Sequence, residues 1–125
     1  MGGRITVSEE YFTIGKTSIK SSPDYTNKCS VDTVYVTTSE DIGKKIIFKF
    51  DTYSSDNINI TLYYRLNSRT GPGVISSTIS APGNMTNNMI LTLNNIVENT
   101  YSVSFRVTSN TQQPVYVDNV IVNIQ

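Results

Sequence analysis

A two-residue rhythm governs the end of this 125-residue chain and sets what it can fold into. Tyr101, Val103, Phe105 and Val107 alternate with Ser102, Ser104, Arg106 and Thr108. Successive side chains of a strand point to opposite faces, so this spacing predicts a half-buried strand. The polar run Ser109-Asn110-Thr111-Gln112-Gln113-Pro114 favours a turn. A second strand, rich in Val and Ile, follows from Val115 and carries one acid, Asp118. A carboxylate within an apolar strand is costly to bury unless something pairs or coordinates it.

The same rhythm recurs upstream. Arg4–Ser8 and Tyr11–Ile14 read as short opening strands, and Gly15–Lys20 as another. Val31–Thr38 is a strand whose buried face stays open. Lys44–Phe50 sets Ile46, Phe48 and Phe50 against Lys45, Ile47 and Lys49. Further on, Ile58, Ile60, Leu62, Tyr64 and Leu66 oppose Asn59, Thr61, Tyr63 and Arg65. Val74–Ile79 is a weak strand, and Met89, Leu91 and Leu93 mark a further one. No stretch keeps helical apolar spacing for three turns. Some nine or ten short strands with turn signals every 8–12 residues predict one all-β domain, an antiparallel sandwich.

Composition removes several functions. Ten Lys plus Arg balance ten Asp plus Glu. The footprint of a nucleic-acid binder or a membrane-surface protein is therefore absent. With no His, imidazole metal sites and Ser-His-Asp triads are excluded. The single Cys, Cys29, forms no internal disulfide and no Cys-rich zinc site. No apolar run reaches membrane-span length, so no insertion is expected. Met1-Gly2-Gly3 reads as a cloning remnant, which places the domain at residues 4–125 with further domains of a parent protein outside it.

Three segments carry a family resemblance: Gly15-Lys-Thr-Ser-Ile-Lys20, Ile42-Gly-Lys-Lys-Ile-Ile-Phe-Lys-Phe50, and Tyr101–Val107 with Val115–Val122. In this order they resemble the strands of carbohydrate-binding-module-like jelly rolls, the galactose-binding-like fold. The resemblance implies a jelly-roll β-sandwich found beside secreted hydrolases, in adhesins and in phage tails. It also implies a structural calcium, with Asp118 as the last-strand ligand and Glu9 and Glu10 as candidates from the N-terminal segment. Calcium takes six to eight hard oxygens, which carboxylates, carbonyls and water can supply. The alternative for Asp118 is a bulge cap, backbone N–H bonds, or pairing with Arg4 or Lys20.

Such modules hold sugars by aromatic burial and direct them with polar side chains. Trp, the usual platform, is missing here, which leaves the eight Tyr. Tyr63 lies opposite a clear core face, between Asn59 and Arg65 on its strand. Asn59, Tyr63 and Arg65 thus form a candidate ligand surface, which Arg106 and Lys49 could extend. A Tyr–Arg pair that merely stabilises strand pairing is the structural alternative. Glu9-Glu10 and Glu40-Asp41 are acid pairs, but neighbouring residues point apart rather than across a substrate, so solvated turn charges are expected there and no catalysis. The expectation is a non-catalytic module binding a polysaccharide or cell-surface glycan, extracellular or virion-borne. The alternative is a structural docking module with no small ligand.

Overall fold

The alternating segments form two antiparallel sheets that close on one apolar layer. A computed structural model of the protein describes residues 5–8, 18–21, 29–109, 111 and 113–125. Its strands are β1 (Ile5–Ser8), β2 (Ser18–Ser21), β3 (Cys29–Val36), β4 (Ile46–Tyr53), β5 (Ile58–Leu66), β6 (Gly73–Ala81), β7 (Asn87–Leu93), β8 (Thr100–Ser109) and β9 (Val115–Ile124). One sheet has the order β1-β2-β9-β4-β7 and the other β3-β8-β5-β6. Sequence neighbours are repeatedly split between the two sheets, the arrangement of a jelly-roll sandwich. Tyr11–Ile14, expected as a strand, lies outside the described residues.

The predicted core faces meet in the middle. Ile46, Phe48 and Phe50 of β4 face Ile58, Ile60 and Leu62 of β5 and Val103, Phe105 and Val107 of β8, all nearly or fully buried. Phe105 is the hub. Its ring stacks on Phe50 at 4.0 Å between centroids and meets Phe48 edge-on at 5.2 Å. Such aromatic pairs add to the stabilisation from area burial alone. For β3 the register with β8 settles the open question: Val31 and Tyr35 lie on the core side, while Val34 and Val36 are exposed on the other.

Two irregularities shape the surface. Between β4 and β9 the register steps from Lys49↔Ile121 to Asp51↔Asp118, two residues on β4 (49 to 51) against three on β9 (118 to 121). The extra residue makes a bulge, where Asn119 adopts a φ of 54°. The second irregularity corrects the expectation for Glu40-Asp41. Asp41, in the 3₁₀ turn Ser39–Asp41, is only 7% exposed rather than solvated. Its Oδ2 accepts the Thr38 backbone N–H and the Tyr35 hydroxyl, each at 2.8 Å.

Candidate saccharide-binding face

The outer face of the four-stranded sheet brings together three of the residues singled out from sequence. Pairing β5 with β8 puts Thr61 beside Arg106 and Tyr63 beside Ser104. Arg65 follows two residues further along β5, so Tyr63 is flanked along the strand by one arginine on each side. The guanidinium carbons of Arg65 and Arg106 lie over its ring, 5.5 and 5.7 Å from the centroid. These distances are within cation–π range. Ser102 and Ser104 of the central strand β8 point away from the core, yet are 2% and 1% exposed. The larger side chains on β3 and β5 therefore stand above a low floor.

On the other side of Tyr63, against β6, is a groove of about 280 Å³ lined by Thr61, Tyr63, Arg65, Gly73, Ile75 and Arg106. A register shift between Leu62 and Tyr63 sets Ile75 opposite Tyr63, and its side chain is 69% exposed. An apolar surface, an aromatic edge, a hydroxyl and two guanidiniums thus border one open concavity. This combination can take a polyol whose ring has both an apolar and a polar face.

The two arginines are held differently. Arg106 makes a bidentate ion pair with Asp32 on β3, Nε to Oδ1 at 2.7 Å and Nη2 to Oδ2 at 3.0 Å. The Asp32 hydrogen bonds, aided by that carboxylate's charge and by Tyr63, hold the Arg106 pKa above its ordinary value against the effect of burial. Arg65 donates through Nη1 to the Gly71 carbonyl at 3.2 Å. Gly71 itself has no substitute, because a Cβ there would collide with the Leu66 carbonyl oxygen.

The remaining candidates lie elsewhere. Asn59 shares the outer face of β5 but sits four residues from Tyr63, roughly 13 Å along a strand. Its Oδ1 accepts the Ser80 hydroxyl at 2.9 Å, and it borders a separate concavity with Asn57 and Pro82. Lys49 does not extend the groove. It lies on β4 in the other sheet, paired with Ile90 and Ile121, on the opposite outer face of the sandwich. Non-core alternation is common to both sheets, so it could not tell which sheet a strand joins.

Asp118 is not buried in the apolar layer either. It is half-exposed on the outer face of the five-stranded sheet, where its Oδ1 accepts the Asn119 backbone N–H at 2.8 Å, at the bulge. Asn119 also donates its side-chain amide to Asp51 Oδ2 at 2.8 Å. Asp51, Asp118, Tyr53, Tyr116 and Thr86 border a cleft of about 230 Å³. No group of three or more His, Cys, Asp or Glu side chains converges among the described residues. Asp51 and Asp118 are the two carboxylates at this cleft, and the further oxygens that calcium takes would come from carbonyls, water or the N-terminal segment. Glu9 and Glu10 lie outside the described residues.

Sequence reasoning missed Asp32, Ile75 and, beside Asp118, Asp51. Asp32 stood in a strand whose faces were undecided, and it meets Arg106 across 74 residues of sequence. No local pattern could have joined them.

No protein-family model matches the chain, and no curated protein matches it. Solved structures do. The second CBM22 xylan-binding domain from Paenibacillus barcinonensis superposes with a TM-score of 0.66 at 12% identity, covering 98% of this chain and 87% of that one. A family 16 carbohydrate-binding module gives 0.62 at 10% identity, covering 98% and 86%. Tailspike protein 4 of bacteriophage CBA120, in its enzymatically active domain, gives 0.67 at 15% identity, covering all of this chain but 18% of that chain. The chain therefore has the jelly-roll fold of carbohydrate-binding modules.

Proposed function

We propose that this domain binds a saccharide on the outer face of its four-stranded sheet, around Tyr63, and carries out no chemistry on it. Its service is to hold a larger extracellular or virion-borne protein on a glycan-bearing target. The observation that carries this reading is the groove beside Tyr63, where two guanidiniums, a hydroxyl and the exposed Ile75 border one open concavity. The fold supports it, since structures of the same shape include a xylan-binding domain and a module solved with a galactotriose.

A non-catalytic role is supported by the lining. Glycoside hydrolysis generally uses two carboxylates flanking the scissile bond. None of the described residues lining the groove is an acid, and nearby Asp32 is engaged with Arg106. Because the groove is shallow, it recovers little apolar area and affinity for one domain is modest. Several copies on one assembly compensate through avidity.

The test is retention on insoluble xylan, galactan and pectin together with a glycan array. Wild-type protein is expected to be retained on at least one, and Tyr63→Ala to lose that retention at unchanged thermal midpoint. Equal retention by the variant would place the site elsewhere. A second reading, a docking module with no sugar ligand, is favoured by Ile90 and Ile121, 61% and 45% exposed on the five-stranded sheet beside Lys49. It predicts no retention on any glycan and self-association in size-exclusion chromatography.

A further inference from the structure

Charge in the Tyr63 groove is distributed unevenly. Arg106 is neutralised by its bidentate pair with Asp32. Arg65 has no ion-pair partner among the described residues; its guanidinium meets the Gly71 carbonyl and the Tyr63 ring. A guanidinium carries five N–H donors in one plane. The bond from Nη1 to Gly71 uses one of them and fixes the group in place, leaving most of the fork for a ligand. Oriented in a groove whose described lining holds no acid, that fork matches a carboxylate, which it can bind through two parallel hydrogen bonds.

Resting on the saccharide-binding reading of this groove, we infer that the sugar it takes is acidic: a uronate-type residue, its carboxylate on Arg65 and its ring against Ile75 and the edge of Tyr63. One unneutralised guanidinium answers one carboxylate. Densely charged polyanions are recognised instead by clusters of cations that neutralise several anionic groups at once. The described lining of the groove offers one such cation, and the chain's formal charge is zero. A sugar carrying a single carboxylate per ring, with hydroxyls elsewhere, complements that arrangement better than a sulfated chain or a nucleic acid.

The experiment is titration calorimetry with oligogalacturonate and oligomannuronate, each alongside its carboxyl-reduced twin, in which the carboxylate has become a neutral hydroxymethyl group. At least one oligouronate is expected to bind, with its twin weaker by about tenfold or more, the scale of a charge-assisted hydrogen bond. Arg65→Gln is expected to abolish that preference at unchanged thermal midpoint. Arg65→Lys, which keeps the charge but not the fork, should restore part of it. If acid and twin bind equally and Arg65→Gln has no effect, the acidic assignment is overturned while the saccharide reading stands. Preference for a sulfated oligosaccharide would overturn the carboxylate assignment. If neither uronates, their twins nor the neutral glycans above are bound, both readings fall.

Discussion

At the scale of single residues, Asp41 shows how a charge that looks like surface decoration can hold a turn. Its carboxylate accepts the Thr38 N–H and the Tyr35 hydroxyl. The Thr38 bond is the main reason its pKa lies below the ordinary carboxylate value, opposed by burial and helped by Tyr35 and Lys44. The Tyr35 pKa is raised, chiefly by its hydrogen bond to Asp41 and further by burial and the Asp41 charge. The signs follow from linkage. Asp41 binds its proton less tightly when folded, so its contribution is present above the usual carboxylate value of about 3.9 and is lost as pH falls through the folded value. Tyr35 binds its proton more tightly when folded, so its contribution is present below about pH 10 and is lost as pH rises beyond. Thermal midpoints measured across pH should fall at both ends for the wild type and less steeply for Asp41→Asn. Parallel curves for the two proteins would remove this pair from the pH dependence.

At the scale of elements, strand pairing is what joins Arg106 to Asp32 and both to the Tyr63 groove. The pair is partly exposed, with side-chain accessibilities of 39% and 32%. Its worth to stability is accordingly about 1 kcal/mol or less. Its larger effect is on the charge of the face. Asp32→Asn leaves Arg106 without a counter-charge, so affinity for an oligouronate should rise while that for the carboxyl-reduced twin stays the same. Calorimetry on the variant checks this, and weaker uronate binding would contradict it. The strands themselves were legible because Ile58, Ile60 and Leu62, or Val103, Phe105 and Val107, repeat at the period of the pleat. Which strands pair was not legible, because sheet order depends on long-range packing. Lys49 and Arg106 look alike in sequence, yet β4 and β8 lie in different sheets. β6 read as weak because its middle, Ile75 to Thr78, is exposed at a sheet edge and has no core rhythm to display. For Asp118 the alternative of a bulge cap accepting a backbone N–H is what the described residues show, although apolar periodicity alone leaves no trace of where the bulge lies.

At the scale of the whole molecule, the sandwich presents two broad outer faces of different chemistry. The four-stranded face carries Tyr63 with its two arginines. The five-stranded face carries the Asp51–Asp118 cleft and the exposed Ile90 and Ile121. One apolar layer centred on Phe105 supports both, so a ligand on one face need not disturb the other. The central claim is that saccharide recognition belongs to the four-stranded face. Amide chemical-shift mapping of ¹⁵N-labelled protein, titrated with the oligosaccharide it retains best, tests that claim directly. The expected result is a cluster of shifts at Thr61, Tyr63, Arg65, Ile75 and Arg106, with Asp51, Tyr53, Tyr116 and Asp118 unmoved. A cluster at the second set with the first unmoved, or no shifts with any glycan, would contradict it.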